Sequence, residues 1–316
     1  MNNTISKDDS QFPEFLLFNE VPWMIVYICE AVLILTGNTV TVYIFWSIRK
    51  RLKRTSYLLI NLAVADIFVG IGLTLLIGAD IAVMLKRDVS VLLSETIILI
   101  DTSSTVASLV SLVLISLERM FAILWPFRHR LLKTRYFHVS IGSVWLLAAL
   151  NVVSNLRLDS DPTNDDAYST FTAATFITSV LVITGAYLAI WISIRRNQIP
   201  NNDGRSTRKN RELAKTLFIV TALSIITCLP YGIIIAYTDF SEDLFAFKVQ
   251  ITIVAQYANS FLNPVVYCFR MPEFKASLKK LLCSCSRKRP SLDLNSQWSR
   301  STSAVTLRSI RSVETF

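Results

Sequence analysis

The sequence predicts an all-α membrane protein, a bundle of seven transmembrane helices followed by a short amphipathic eighth helix. Three observations carry that expectation. Seven apolar runs recur along the 316 residues, each close to the roughly 20 residues that cross a hydrocarbon core about 30 Å thick. Hydrophobic residues make up 52% of the chain and charged residues 17%, with a mean hydropathy of +0.47, whereas a soluble domain is about a quarter charged. That balance argues against two soluble domains, a disordered chain, a disulfide scaffold or a nucleic-acid-binding protein. Third, the basic residues that give the net charge of +9 sit almost entirely on alternate connecting segments.

The runs are approximately 22–48, 57–85, 92–123, 137–156, 168–194, 214–237 and 245–269. Backbone amides cannot stay unpaired in lipid, so runs of this length read as helices, and the alternation of a membrane β-barrel is absent. The first run is too long for a signal-peptide core and has no basic leader, which predicts a retained span. Residues 49–54, 119–135, 195–215 and 270–316 together hold 27 of the 32 Lys and Arg. The positive-inside rule then places the N-terminus outside and the C-terminus in the cytoplasm, as an odd number of spans requires. The organisation that follows is an extracellular segment 1–21, a helical bundle 22–270, an amphipathic membrane-surface helix 271–285 and a disordered cytoplasmic tail 286–316. Cys29, Cys228 and Cys268 fall in spans and Cys283 and Cys285 in the tail region, so no extracellular disulfide is expected. Asn2-Asn3-Thr4 is a short glycosylation sequon at Asn2 on the outer side.

Ionisable groups inside a bilayer are expensive and mark functional sites by default. Asp66 lies in span two, Asp101 in span three, and Glu118-Arg119 at the inner end of span three. Asp101 and Arg119 are 18 residues apart, five turns and about 27 Å along one helix face, so one helix offers an acid outward and a base inward. Ser108 falls two turns below Asp101 on much the same face. Span seven carries a polar line of Tyr257, Asn259, Ser260, Asn263 and Tyr267. Pro230 in span six and Pro264 in span seven break the hydrogen-bond ladder, and the carbonyls they free need other partners.

These residues come as ordered motifs: Gly37-Asn38 in span one, Leu62-Ala63-Val64-Ala65-Asp66 in span two, Glu118-Arg119-Met120 closing span three, and Trp125-Pro126 in the loop after it. Trp145, Tyr187, Pro230 and Asn263-Pro264-Val265-Val266-Tyr267 follow in spans four to seven. In that order they resemble the rhodopsin-like (class A) G-protein-coupled receptors over roughly residues 22–285. The resemblance implies a receptor that carries an extracellular small-ligand signal to a heterotrimeric G protein without covalent chemistry of its own, and so no enzyme. It implies that Arg119, of the Glu118-Arg119-Met120 motif, sits at the cytoplasmic mouth, held in the resting state and released to face the G protein as Tyr187 and Tyr267 move toward it, with Glu118, Pro230, Asn263 and Pro264 also among the coupling and activation residues. Asp66, Ser108, Asn259 and Asn263 match the family's buried sodium site, for which an all-oxygen set suits a hard cation; a water-filled network without sodium is the alternative, and no other cofactor is implied.

Asp101 matches the carboxylate that biogenic-amine receptors use to bind a protonated amine, and Tyr257 the tyrosine that orients it. Thr172 and Thr175 in span five and Tyr231 after the span-six proline are candidate ligand contacts. Other positions depart from the amine pattern: Cys228 replaces the span-six tryptophan, Ser94 the cysteine that caps span three, Val254 an aromatic of span seven, and Tyr231-Gly232 the usual aromatic pair. A peptide or non-amine ligand on the same fold is therefore the alternative. Asn210 stands where the family often places an acid that holds the arginine, with Glu212 nearby, which predicts a weakened lock and basal activity. Cys283 and Cys285 resemble palmitoylation sites, and the tail implies a receptor kinase and arrestin as further partners. A transporter is the rival class, but paired internal repeats are absent. With the bilayer and a G protein as partners, nucleic acid is not needed to explain the charge.

Overall fold

A computed structural model describes residues 11–52, 55–158, 165–196, 205–237 and 243–286. Those residues form nine helices and no strand: α1 (Gln11–Leu52), α2 (Thr55–Met84), α3 (Val91–Leu124), α4 (Pro126–Leu131), α5 (Thr134–Leu158), α6 (Asp165–Arg196), α7 (Arg205–Tyr237), α8 (Asp243–Arg270) and α9 (Pro272–Ser286). Seven of them are long and correspond to the seven apolar runs. Among the described residues five are apolar for long enough to span a bilayer by length and composition. Helix α7 carries the apolar stretch Phe218–Tyr231 within the described residues, after a basic first segment. Helix α8 is diluted by its polar stripe.

Local chemistry sets several of the ends. Ser90 caps α3, its side chain accepting from the Leu93 amide at 3.3 Å, which satisfies one orphan donor of the first turn. Helix α3 stops at Trp125 because Pro126 cannot continue the ladder, and Pro126 instead starts α4 at its first position. Lys86, with φ of 54°, is the positive-φ residue that turns the chain after α2.

In lipid, apolar burial does not drive helices together, so close packing and interhelical hydrogen bonds must do it. Helix α3 is central and touches α2, α5, α6 and α7, while α1 packs on α2 and α8. Gly37 lets α8 approach α1: a β-carbon there would lie 3.3 Å from the Pro264 ring. Pro264 has no amide hydrogen to give the Ser260 carbonyl, and the Asn38 side chain of α1 donates to that carbonyl at 2.9 Å. The Gly37-Asn38 pair thus completes a helix that Pro264 would otherwise leave open. Asn61 of α2 performs a similar task, donating to Ser111 of α3 at 2.8 Å and accepting from the Trp145 indole of α5 at 2.9 Å.

An apolar cluster of Tyr27, Ala31, Ile34, Val69, Leu73, Ile77 and Tyr257 joins α1, α2 and α8, and a second of Ala65, Val106, Ala107, Val144 and Ala148 joins α2, α3 and α5. The outward faces carry Ile25, Val32, Trp46, Leu181, Trp191 and Ile226, all exposed. Apolar side chains covering the outside of a helical bundle mark a lipid-facing surface. The described residues from Ala276, most of α9, fall in a compact unit distinct from the rest of the chain.

Candidate functional site

Three polar centres lie at successive depths among these helices. The middle one is built on Asp66, which is 0% exposed. Its Oδ1 accepts from Ser108 of α3 at 2.8 Å and from Ser260 of α8 at 3.0 Å, and its Oδ2 accepts from the Asn263 amide at 2.8 Å. Three donors from two other helices therefore converge on one carboxylate, a charge-assisted set stronger than neutral bonds. Ser108 and Asn263, which the sequence groups with Asp66, both donate to it, and Ser260 of the same polar line adds a third bond. Asn259 is buried on α8, four residues before Asn263 and so about 40° from it around the helix. Hydroxyl, amide and carboxylate oxygens are all hard donors, so the residues fit a small cation such as Na⁺, for which the Ser108 and Ser260 hydroxyls would turn their lone pairs inward.

The outer centre is Asp101 of α3. Tyr257 of α8 donates to its Oδ1 at 3.1 Å, and the Ser104 hydroxyl donates to its main-chain carbonyl at 3.0 Å. Tyr257 is itself fixed by the edge of the Tyr27 ring, with centroids 6.1 Å apart, and Tyr27 hydrogen-bonds Gln250 of α8. The carboxylate keeps open acceptor capacity in a half-buried position, which suits recruitment of a cation. Thr175 and Tyr231 are half-buried on α6 and α7. Thr172 is in α6, but its side chain lies outside the described residues, as does Asn2.

The inner centre joins Glu118 and Arg119. The guanidinium, 3% exposed, is held in a two-pronged ion pair in which Nε donates to Glu118 Oε2 and Nη2 to Oε1. His129 from α4 contacts Oε1 of the same carboxylate at 2.9 Å. Sequence reasoning missed His129, because eleven residues and the Trp125-Pro126 turn separate it from Glu118 and no spacing rule spans that break. Glu212 is engaged by Lys215 of its own helix at 3.1 Å, in an exposed pair. Tyr187 of α6 pairs with Thr221 of α7 at 3.2 Å. Tyr267 of α8 is packed between Phe45 and Phe274, with centroids 5.3 and 5.9 Å away, and its buried hydroxyl has no hydrogen-bond partner among the described residues. Pro230 and Pro264 sit inside continuous helices, and Cys228 is buried on α7 beside Thr227. Cys283 is exposed on α9, and Cys285 belongs to the same helix although its side chain is outside the described residues.

The sequence reading also passed over Glu30 of α1. This carboxyl is 5% exposed, and its Oε2 has no hydrogen-bond partner among the described residues.

Seven long helices around an outer acid, a saturated central acid and an inner arginine clamp define a multi-pass membrane receptor. The chain belongs to the 7 transmembrane receptor (rhodopsin family), whose family model matches residues 37–267. It is similar to the somatostatin receptor type 2 of Sus scrofa, 24% identical over 89% of this chain and 82% of the relative. It is also similar to the adenosine receptor A2a of Cavia porcellus, 27% identical over 83% of this chain and 73% of the relative. The somatostatin receptor type 5 of Rattus norvegicus is 25% identical over 82% and 77% respectively. These relatives are receptors, not enzymes, and none of the three is named for a biogenic amine.

Proposed function

We propose that this receptor recognises a protonated amine from outside the cell and passes the signal to a heterotrimeric G protein, with the N-terminus extracellular and the C-terminus cytoplasmic. The observation that supports the ligand class is the Tyr257 hydroxyl on Asp101: it orients one carboxylate oxygen and leaves the other for a charge-assisted bond to an ammonium. Thr175 and Tyr231 stand at the same end of α6 and α7, and with Thr172, three residues before Thr175 in the sequence, they are the further ligand contacts of this reading. At the inner end, opening of the Glu118–Arg119–His129 clamp frees the guanidinium for the G protein, and Tyr187 and Tyr267 leave Thr221 and the Phe45–Phe274 pocket to stand beside it. An outside ligand and an inside partner that favour the same open state strengthen each other's binding by the same factor. Asp66, with Ser108, Ser260 and Asn263, is read as a Na⁺ site; Cys283 and Cys285 as palmitoylated, Asn2 as glycosylated, and the tail as the target of a receptor kinase and arrestin.

Relatives named for somatostatin and adenosine favour a second reading, a non-amine ligand on the same fold. A second-messenger screen of protonated amines on cells expressing the chain separates the two. Asp101→Asn is expected to cost an active amine roughly 10- to 100-fold in potency, the worth of one hydrogen bond to a charged group. Unchanged potency would sink the amine anchor. Arg119→Ala at matched surface expression is expected to abolish signalling while ligand binding persists, and retained full signalling would remove Arg119 from the coupling role.

A further inference from the structure

Between the outer and central acids lies an amide that neither uses. Gln256 precedes Tyr257, the residue that reaches Asp101, and is four residues before Ser260 and seven before Asn263, the two α8 residues that reach Asp66. At 100° and about 1.5 Å per residue, Gln256 stands about 6 Å outward of Ser260 and within about 40° of both Asp66 donors. Its side chain is thus on the stripe of α8 that faces the central acid, one turn nearer the outside. Its Oε1 is buried with no hydrogen-bond partner among the described residues, and a carbonyl oxygen left unpaired away from water has a cost of about 1–3 kcal/mol that a bound donor or cation would relieve. Across from it, α3 presents the same progression: Asp101, then Ser104, then Ser108, with Ser104 buried. The two helices therefore place oxygen atoms at three successive levels between the outer cleft and Asp66.

We propose that Gln256 Oε1 is an additional oxygen ligand for a small monovalent cation, extending the Asp66 site one turn toward Asp101. Neutral carbonyl oxygens are suited to such a position, because they replace hydration without holding the ion as a carboxylate does. The inference rests on the Na⁺ reading of Asp66, and the two can fail separately.

The test is the thermal midpoint of the purified full-length receptor titrated with NaCl against choline chloride at constant ionic strength. Wild type is expected to gain stability with a saturable Na⁺ dependence, and Asp66→Asn to give a flat response. Gln256→Leu is expected to raise the half-saturating Na⁺ concentration about tenfold, the loss of one polar contact. Gln256→Glu, which keeps the oxygen and adds charge, is expected to lower it, and this variant decides the matter if the leucine variant does not fold. A wild-type midpoint indifferent to Na⁺ overturns both readings. A Na⁺ response abolished in Asp66→Asn but unmoved in Gln256→Leu, or unmoved in Gln256→Glu, overturns the role of Gln256 alone.

Discussion

Asp66 and Asp101 are the same side chain on adjacent membrane helices, and the structure treats them in opposite ways. Asp66 is wholly enclosed and takes three hydrogen-bond donors from α3 and α8. Asp101 is half-buried and its carboxylate receives the single Tyr257 hydroxyl. A buried charge is tolerated when its acceptor sites are supplied with donors, so Asp66 ties α2, α3 and α8 together through its three hydrogen bonds. An under-supplied carboxylate facing a cleft retains affinity for a cation. The inner Glu118 repeats the saturated pattern, paired with Arg119 of its own helix and His129 of the short helix α4.

The largest expected effect belongs to the saturated centre. Asn263→Ala removes the donor to Oδ2 and leaves that oxygen buried, which should lower unfolding stability by about 3 kcal/mol, the upper end for a hydrogen bond to a charged group. Thermal denaturation in detergent measures it. If the comparison holds, ligand potency at Asp101 changes far less than stability. The converse applies to Tyr257→Phe, which removes the orienting hydroxyl at the under-supplied centre while keeping the ring that packs against Tyr27. An amine should lose about tenfold in potency, or about 1.4 kcal/mol, with the thermal midpoint nearly unmoved. A large stability loss in Tyr257→Phe with intact potency would reverse the assignment of the two acids.

His129→Ala probes the third centre and should have a smaller effect. Removing the imidazole leaves the guanidinium pair on Glu118 in place, so the clamp loosens by about 1 kcal/mol, less than a fully buried bond to a charged group because His129 is partly exposed. That is a roughly fivefold shift of a two-state equilibrium. Ligand-free second-messenger output at equal surface expression should rise by about that factor, and output at the wild-type level would show that His129 does not restrain the arginine.

Much of this was legible in the sequence because lipid narrows the choices. Long apolar runs had to be helices, and basic loops had to group on one side. Asp66, Asp101 and Arg119 stood out because charges are rare in such runs. The bond from Ser260 to Asp66 was not legible, since Asn259 and Ser260 are both polar, adjacent and buried and no spacing rule says which side chain reaches a carboxylate on α2. The carbonyl freed by Pro264 was foreseen, but its partner Asn38 lies 222 residues from Ser260, a distance no local pattern bridges. Glu30 is a different case: an acid inside the first apolar run is a plain signal by the same rule that picked out Asp66.

Glu30 extends the comparison to its limit, from three donors on Asp66 through one on Asp101 to an enclosed carboxyl whose Oε2 has none among the described residues. It sits in α1 one turn below Tyr27, next to the apolar cluster that joins α1 to α2 and α8. Nothing in that cluster repays the loss of hydration, so the group costs stability where Asp66 contributes it. Replacing an unsatisfied buried polar group with an apolar one of similar size is neutral or stabilising. Glu30→Leu should therefore raise unfolding stability by about 1 kcal/mol, the opposite sign to Asn263→Ala, while Glu30→Ala opens a void and forfeits the gain. A loss of stability in Glu30→Leu with expression preserved would mean that Glu30 is held by a partner beyond the described residues, and that the donor count does not by itself rank these acids.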